Sequence, residues 1–435
     1  MSMKAVLREI VRRFYLRDLP SLTPRSCHFP VMEGRATILL GMRRCGKTYR
    51  CYQRMAELLA SGIPKDRLLY LNFEDERLNS FALADCQSIL DVYYEMYPDN
   101  RDQLCYFFFD EIQNVPDWAQ FIRRIIDSER IQVSITGSSS KMLSEELATA
   151  MRGREICTKV MPFSFEEFIR YHHYLESIPK YPCDAERSKI QNALNRYFTI
   201  GGFPEIQKAD EMDIEPALQG LCNTVVARDI KERHKLNNSE LVDAIVQYLF
   251  SNIAEQTSLT KVTTYLQNLG IKADWERVKN CINYLCDAFL FYPVEIADES
   301  LLRRKRNPIK YYATDIGLVR AMSLRPEANY GHLLENMVFL HLIRGDWRVS
   351  YVLSRTDNSE IDFYAYHPTT KQKRLVQVSY TMKDGDTLKR EIAAFDRAGK
   401  FLEVTDRIIV TWDEEEELDS AIRVIPAWKF FLDLE

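Results

Sequence analysis

The chain has 435 residues, enough for about three domains at roughly 150 residues each, so a small stapled scaffold is excluded. With 46% hydrophobic and 28% charged residues and a net charge of -5, it is an ordinary globular composition without the bulk positive field of a general polyanion binder. Its apolar runs, such as Tyr106–Phe109 and Ile38–Leu40, fall far short of the roughly 18–20 residues of a spanning helix, so no membrane partner is expected.

The N-terminal stretch from Met1 to Leu19, a helical extension, has charges throughout and cannot form a secretory apolar region; the expected location is cytoplasmic. The ten cysteines include no C-x-x-C pair and are expected to be reduced, buried and inert.

From Ala36 onward, short apolar runs alternate with helical patterns. The strand-like runs are Ala36–Leu40, Arg67–Phe73, Cys105–Asp110, Ile131–Thr136 and Glu155–Met161; the helical ones are Lys47–Ser61, Asp85–Met96, Trp118–Ser128 and Ser144–Met151. That alternation predicts an α/β fold, a parallel five-stranded sheet with helices on both faces. Ser164–Asp229 reads as a helical connector broken by a turn at Gly201-Gly-Phe-Pro204. Three helical patterns follow (Ser239–Glu255, Leu259–Leu269, Asp274–Ala288), then strands at Phe289–Ile296 and Ile309–Thr314 joined by a basic turn, Arg303–Pro308: a winged helix-turn-helix. The last stretch is a smaller α/β unit. It has a helix at Gly331–Ile343, strands at Trp347–Leu353, Glu360–Tyr366 and Arg374–Tyr380, a helix at Thr387–Ala398, and strands at Arg407–Thr411 and Ile422–Pro426. The resulting boundaries are 1–163, 164–238, 239–315 and 316–435.

The first strand runs into Gly41-Met-Arg-Arg-Cys-Gly46-Lys47-Thr48, after which a helix begins, the context that a G-x-x-x-x-G-K-[ST] phosphate loop requires. Gly41, Met42, Arg43, Arg44, Cys45, Gly46, Lys47, Thr48 and Tyr49 are the expected nucleotide contacts, with Lys47 bridging the β and γ oxygens and the Thr48 hydroxyl on Mg2+. The strand Cys105–Asp110 ends in two acids where ligands bind in open α/β sheets. Asp110 would anchor Mg2+ and Glu111 would orient and polarise the attacking water. The strand from Ile131 ends in a polar cluster that brings Ser138 toward the γ-phosphate, or else is a serine-rich turn.

These residues, with Arg43-Arg44, Tyr70–Asp75, Thr136-Gly-Ser-Ser, Arg152-Gly-Arg154, Pro162–Phe168, Gly201–Glu205, Arg228-Asp-Ile, Tyr311–Asp315 and Leu334-Glu335-Asn336, resemble the AAA+ superfamily. Within it they are similar to the prokaryotic P-loop ATPases that carry a C-terminal domain of uncharacterised function. The resemblance spans nearly the whole chain. It implies ATP as the nucleotide, a homo-oligomer, and an arginine finger reaching a neighbouring subunit from Arg154 or Arg152; the alternative for that pair is a solvated helix end.

The winged helix offers Arg277, Lys279, Asn280 and Asn283 on its third helix and Arg303–Arg306 on the wing for nucleic acid; a protein partner is the other reading. In the last unit, Glu335 on a helix, Glu360 and Asp362 on one strand face and Gln377-Val-Ser379 on the next strand resemble the PD-(D/E)XK nuclease fold. Glutamine and serine stand where that motif has an acid and a lysine, which implies a degenerate nuclease unless Lys383 or Lys373 supplies the ammonium. The expectation is therefore a Mg2+-dependent ATPase, with Lys47, Thr48, Asp110 and Glu111 carrying the chemistry and hydrolysis moving the later domains. The alternatives are an ATP-regulated metal-dependent nuclease and a nucleotide-dependent protein-interaction switch.

Overall fold

The computed structural model describes residues 2–137, 151–236, 238–298, 300–324, 330–353, 359–381, 395, 402–417 and 422–434. The chain divides into two compact units, Met1–Met161 and Pro162–Glu435.

The first unit begins with α1 (Met3–Leu16), which buries Val6, Leu7 and Val11. The alternation that follows becomes β1 (Ala36–Leu40), α2 (Lys47–Ala60), β2 (Leu68–Asn72), α3 (Gln87–Met96), β3 (Cys105–Asp110), α4 (Trp118–Ser128), β4 (Ile131–Gly137) and β5 (Glu155–Lys159). The sheet order is β2-β3-β4-β1-β5, with every pairing parallel. All five residues of β1 are buried, as expected of a parallel strand between helical layers, where both faces are apolar. Register brings the strand ends level: Leu40 pairs with Gly137, and Asn72 with Asp110. The expected helix Ser144–Met151 lies outside the described residues except for Met151, and so does Ser138.

The second unit opens with α5 (Phe165–Tyr171), α6 (Asp184–Ile200), α7 (Glu211–Val225) and a π-helical turn at Val226–Glu232. The motif Pro162–Phe168 is a capping box. The Ser164 hydroxyl accepts from Glu167 N at 3.1 Å, and Glu167 Oε2 accepts from Ser164 N at 2.9 Å. Next come α8 (Ser239–Ser251), β6 (Gln256–Thr257), α9 (Leu259–Asn268), α10 (Trp275–Asp287), β7 (Phe291–Val294), α11 (Leu301–Arg306) and β8 (Ile309–Ala313). The strands form an antiparallel sheet in the order β6-β8-β7. Two expectations need correction here. Two-residue β6 carries no period of its own, and the basic segment taken as a turn is helical. Ser300 caps α11 by accepting from Arg303 N, and Pro308, which cannot continue a helix, follows it.

The unit ends with α12 (Ile316–Met322), α13 (Tyr330–Arg344), β9 (Arg348–Leu353), β10 (Glu360–Tyr366), β11 (Lys373–Val378), β12 (Asp406–Thr411), β13 (Glu416–Glu417), β14 (Ile422–Pro426) and α14 (Ala427–Phe430). Its mixed sheet has the order β13-β14-β12-β11-β10-β9. Of the expected helix Thr387–Ala398 only Phe395 is described, buried against Ile361, Leu375, Val404 and Ile409. All ten cysteines are free, but Cys183 is exposed, contrary to the expectation that all are buried. No helix among the described residues is long and apolar enough to cross a membrane.

The Gly201-Gly202 turn is bound to a distant carboxylate. Gly202 N donates to Asp315 Oδ2 at 2.7 Å, and Gly317 N to Asp315 Oδ1 at 2.8 Å. Burial pushes Asp315 up to about 6 although these amides favour its charged form. A Cβ on Gly202 would stand 2.3 Å from Phe163 O, so the backbone of one strand of this turn would have to move. Gly202→Ala is therefore expected to destabilise the second unit by about 1–3 kcal/mol, lowering its midpoint in a thermal-unfolding scan by roughly 5 °C.

Candidate nucleotide site

The phosphate loop leaves the C-terminal end of β1 and turns into α2 at Gly46, whose φ of 103° and ψ of 21° lie in the left-handed region that a side chain strains. Gly41 is required for space: a Cβ there would meet Val160 O at 2.1 Å and Cys45 Sγ at 2.9 Å. The loop is also held from outside. The Arg25 guanidinium is buried and donates to Cys45 O at 3.0 Å and to Met161 O, while Arg25 N donates to Gln53 Oε1 at 2.8 Å. Arg43 pairs with Glu74 at 2.9 Å, and Tyr49 points outward, half exposed.

Lys47, the first residue of α2, is buried with 4% exposure. Its ammonium donates to Gly41 O and Met42 O, each at 3.1 Å, and lies 3.6 Å from Glu111 Oε1. Burial works against the charge on Lys47, but Glu111, Cys45 and Asp110 outweigh it and keep the ammonium above the ordinary lysine value. The next side chain, Thr48, donates its hydroxyl to Asp110 Oδ2 at 2.7 Å.

Asp110 ends β3 and is the hub of the site. Besides Thr48, Tyr70 OH donates to Oδ2 at 2.8 Å and the Thr136 hydroxyl donates to Oδ1. Burial raises the Asp110 carboxyl above its usual value, while the hydroxyls of Thr136, Thr48 and Tyr70 pull the other way by favouring the carboxylate. Burial and the Asp110 charge push the Tyr70 phenol far above its usual value, so it remains a donor. Two adjacent strand residues would normally face opposite sides of a sheet. Here Glu111 has φ 52° and ψ 44°, left-handed for a non-glycine, and this kink lets both acids approach α2. Glu111 N donates to Thr136 Oγ1 at 2.9 Å, and Gln113 Nε2 donates to Glu111 Oε2.

Lys47, Thr48, Asp110 and Glu111 are thus gathered in one place. Tyr70 and Thr136, which lie in motifs of the resemblance but were given no role from the sequence, join them, and so does Arg25, which was not singled out. Arg154 stands at the opposite edge of the sheet: its carbonyl accepts from Ala36 N at 2.8 Å, and its side chain pairs with Asp127 at 2.8 Å. The five residues of β5, about 16 Å long, separate it from the phosphate-loop end of its own chain. Arg152 is exposed with a left-handed φ of 53°.

The donor set fits a magnesium nucleotide: a hydroxyl and a carboxylate are the hard oxygens that Mg2+ takes, and a buried ammonium and a glycine loop lie at a helix start. When bound, Mg2+ supplies charge neutralisation on the phosphate oxygens. Thr48 and Asp110 would hold it, Lys47 would meet the terminal phosphates, and Glu111 has a carboxylate oxygen beside Lys47 from which to orient a water.

In the second unit, Glu335, Glu360, Asp362 and Gln377 also come together, around a lysine that sequence reasoning missed. Lys310 on β8 meets Glu335 Oε1 at 2.9 Å, Asp362 Oδ1 at 3.3 Å and Glu360 Oε1. Lys373, one of the two lysines left open as a source of the ammonium, donates to Leu402 O at 3.3 Å because it starts β11, whereas Gln377 lies near its end; the other, Lys383, lies outside the described residues. On α10, Trp275, Arg277, Lys279, Asn280 and Asn283 are exposed.

Residues 33–169 match the family model of an AAA domain, and residues 191–329 match that of a domain of unknown function, DUF8612. An uncharacterized protein of Methanocaldococcus jannaschii, MJ1544, is 31% identical over 423 residues, covering 94% of this chain and 90% of its own. An uncharacterized Haemophilus influenzae protein is 29% identical over 328 residues, covering 75% and 78%. Among solved structures, the Walker-type ATPase PABY2304 of Pyrococcus abyssi is similar at 15% identity and a TM-score of 0.42, covering 70% of this chain and 99% of that one. The chain carries an AAA-type ATPase domain and belongs to the family of the Methanocaldococcus jannaschii protein MJ1544.

Proposed function

We propose that the first unit binds ATP with Mg2+ and hydrolyses it, and that the cycle moves the second unit. The observation that carries this reading is the junction of Thr48 with Asp110 at 2.7 Å beside buried Lys47. It joins the two halves of a phosphate site that lie 62 residues apart in sequence. In the reaction, a water oxygen bonds to the γ-phosphorus as the bond to the β–γ bridging oxygen breaks, and the proton leaves toward Glu111. Lys47 would balance the charge that passes to the leaving diphosphate, and Mg2+ held by Thr48 and Asp110 would supply further charge neutralisation. Asp110→Asn keeps the shape of the metal partner but removes its charge. It is expected to lower Mg2+-dependent phosphate release by about 100-fold, and phosphate release equal in Mg2+ and in EDTA would refute the assignment.

Arg154 lies a strand's length from the phosphate-loop end of its own chain, which supports reading it as a finger in trans in a homo-oligomer. The helices α8, α9 and α10 together with the strands β6, β7 and β8 support a winged-helix module. Its exposed Trp275 has the Lys279 ammonium 5.1 Å over the ring, and with Arg277 this face suits nucleic acid better than an apolar protein partner. Salt-sensitive DNA binding lost in the Arg277→Ala, Lys279→Ala double variant supports that reading; its absence favours a protein partner.

A further inference from the structure

A nuclease-like centre implies a divalent metal held by Glu335, Asp362 and a third acid, and the residues present do not fit one. The place is taken by a side chain. Lys310 is buried, and an ammonium has three N–H donors. Three separate carboxylates, Glu335, Glu360 and Asp362, lie around it.

Further donors also reach these carboxylates. Tyr312 OH donates to Glu335 Oε1 at 2.6 Å, Gln256 Nε2 to Glu360 Oε2, and Val378 N to Asp362 Oδ2 at 2.9 Å. Five of the six carboxylate oxygens therefore face a donor. Gln377, where the nuclease pattern has an acid, uses its amide oxygen to accept from Asp362 N at 3.1 Å. A cavity of about 330 Å³ opens onto these acids, so a metal ion would not be excluded by lack of room. It would be excluded because each ligand is already committed and the ammonium cannot leave without being buried unpaired.

Lys310 is also fixed from behind. Its neighbours on β8 are locked to α13 and β10: Ala313 N donates to Asn336 Oδ1 at 2.7 Å, Asn336 Nδ2 to Ala313 O at 3.1 Å, the Tyr312 ring stacks on Phe339 of α13 with centroids 4.4 Å apart, and it lies 5.5 Å from the Phe363 ring of β10. Tyr351 on β9 donates its hydroxyl to Pro308 O at 2.7 Å and bridges Ile296 just beyond β7. The strand that delivers the ammonium is thus attached to α13 by amide and aromatic contacts and, through Pro308, to β9 of the mixed sheet.

We propose that the Lys310 ammonium is the resident cation of this centre, taking the metal's place and pinning the β6-β8-β7 module to the mixed sheet so that the two move as one body. The proposal is independent of the ATPase reading and tests a different unit. Mn2+ is titrated calorimetrically into the nucleotide-free full-length protein and its Lys310→Met variant, with thermal unfolding of each followed alongside. The wild type shows no saturable binding up to about 1 mM Mn2+. Lys310→Met unfolds at a lower temperature, binds one Mn2+ per chain and regains stability with it. Adding Asp362→Asn and Glu335→Gln to Lys310→Met restores the midpoint without metal, because the two most buried unpaired charges are gone and Glu360, partly exposed, keeps its donor Gln256. Saturable Mn2+ binding by the wild type that is lost in Asp362→Asn overturns the proposal, and so does a Lys310→Met protein as stable as wild type. The wild-type titration decides the matter even if the single variant does not fold.

Discussion

Glu111→Gln is expected to cut phosphate release by about 10²–10⁴-fold, the usual contribution of a positioned general base. Nucleotide affinity should be kept or raised. Glutamine has nearly the same shape and can still accept from Gln113, so the left-handed turn after β3 need not change. What it lacks is the charge that attracts water's proton and that now sits 3.6 Å from the Lys47 ammonium. Removing that charge leaves Lys47 freer to meet phosphate oxygens, hence the sign of the affinity change. Phosphate release and binding of a fluorescent ATP analogue, measured on the same preparation, separate the two effects. Unchanged turnover would remove Glu111 from the reaction.

Lys47→Ala acts on the other parameter. An ammonium contributes about 1.5–3 kcal/mol for each charge-assisted hydrogen bond, so losing contacts to two phosphate groups should weaken nucleotide binding by at least about 100-fold. The first unit should stay folded, since the two carbonyls that now accept from Lys47 belong to the glycine loop and not to a strand. Equilibrium binding read against the thermal midpoint checks both halves. A variant with wild-type affinity would contradict the role of the lysine, whereas loss of the fold would show it to be structural.

Much of this site was legible because its parts are local in sequence. A strand, a glycine loop and a helix are consecutive, and the two acids end an apolar strand, so Lys47, Thr48, Asp110 and Glu111 could each be named. What was missed comes from register and tertiary packing. Thr136 bonds Asp110 because it stands one step past the Phe109–Ile135 pair, while Ser138, the hydroxyl expected near the γ-phosphate, lies outside the described residues. Tyr70 reaches the same carboxylate from β2; it opens the motif Tyr70–Asp75, but nothing local in the apolar run gives its hydroxyl a role. Arg25 sits in a segment without periodicity, and nothing in its spacing points to the carbonyl of Cys45.

The second unit follows the same pattern. The acids Glu335, Glu360 and Asp362 could be read from their order on helix and strand. Lys310 could not, because it arrives from a strand assigned to the preceding module, 25 residues before Glu335 and 52 before Asp362. The basic segment before it was read as a turn because Asn307 and Pro308 are turn residues; they end a short helix instead.

The most direct test of the central claim is a calorimetric titration of the wild-type chain with a non-hydrolysable ATP analogue in Mg2+. The expected result is one nucleotide per chain, with binding weakened by EDTA and lost in Lys47→Ala. No saturable heat, or the same heat from Lys47→Ala as from the wild type, would contradict it.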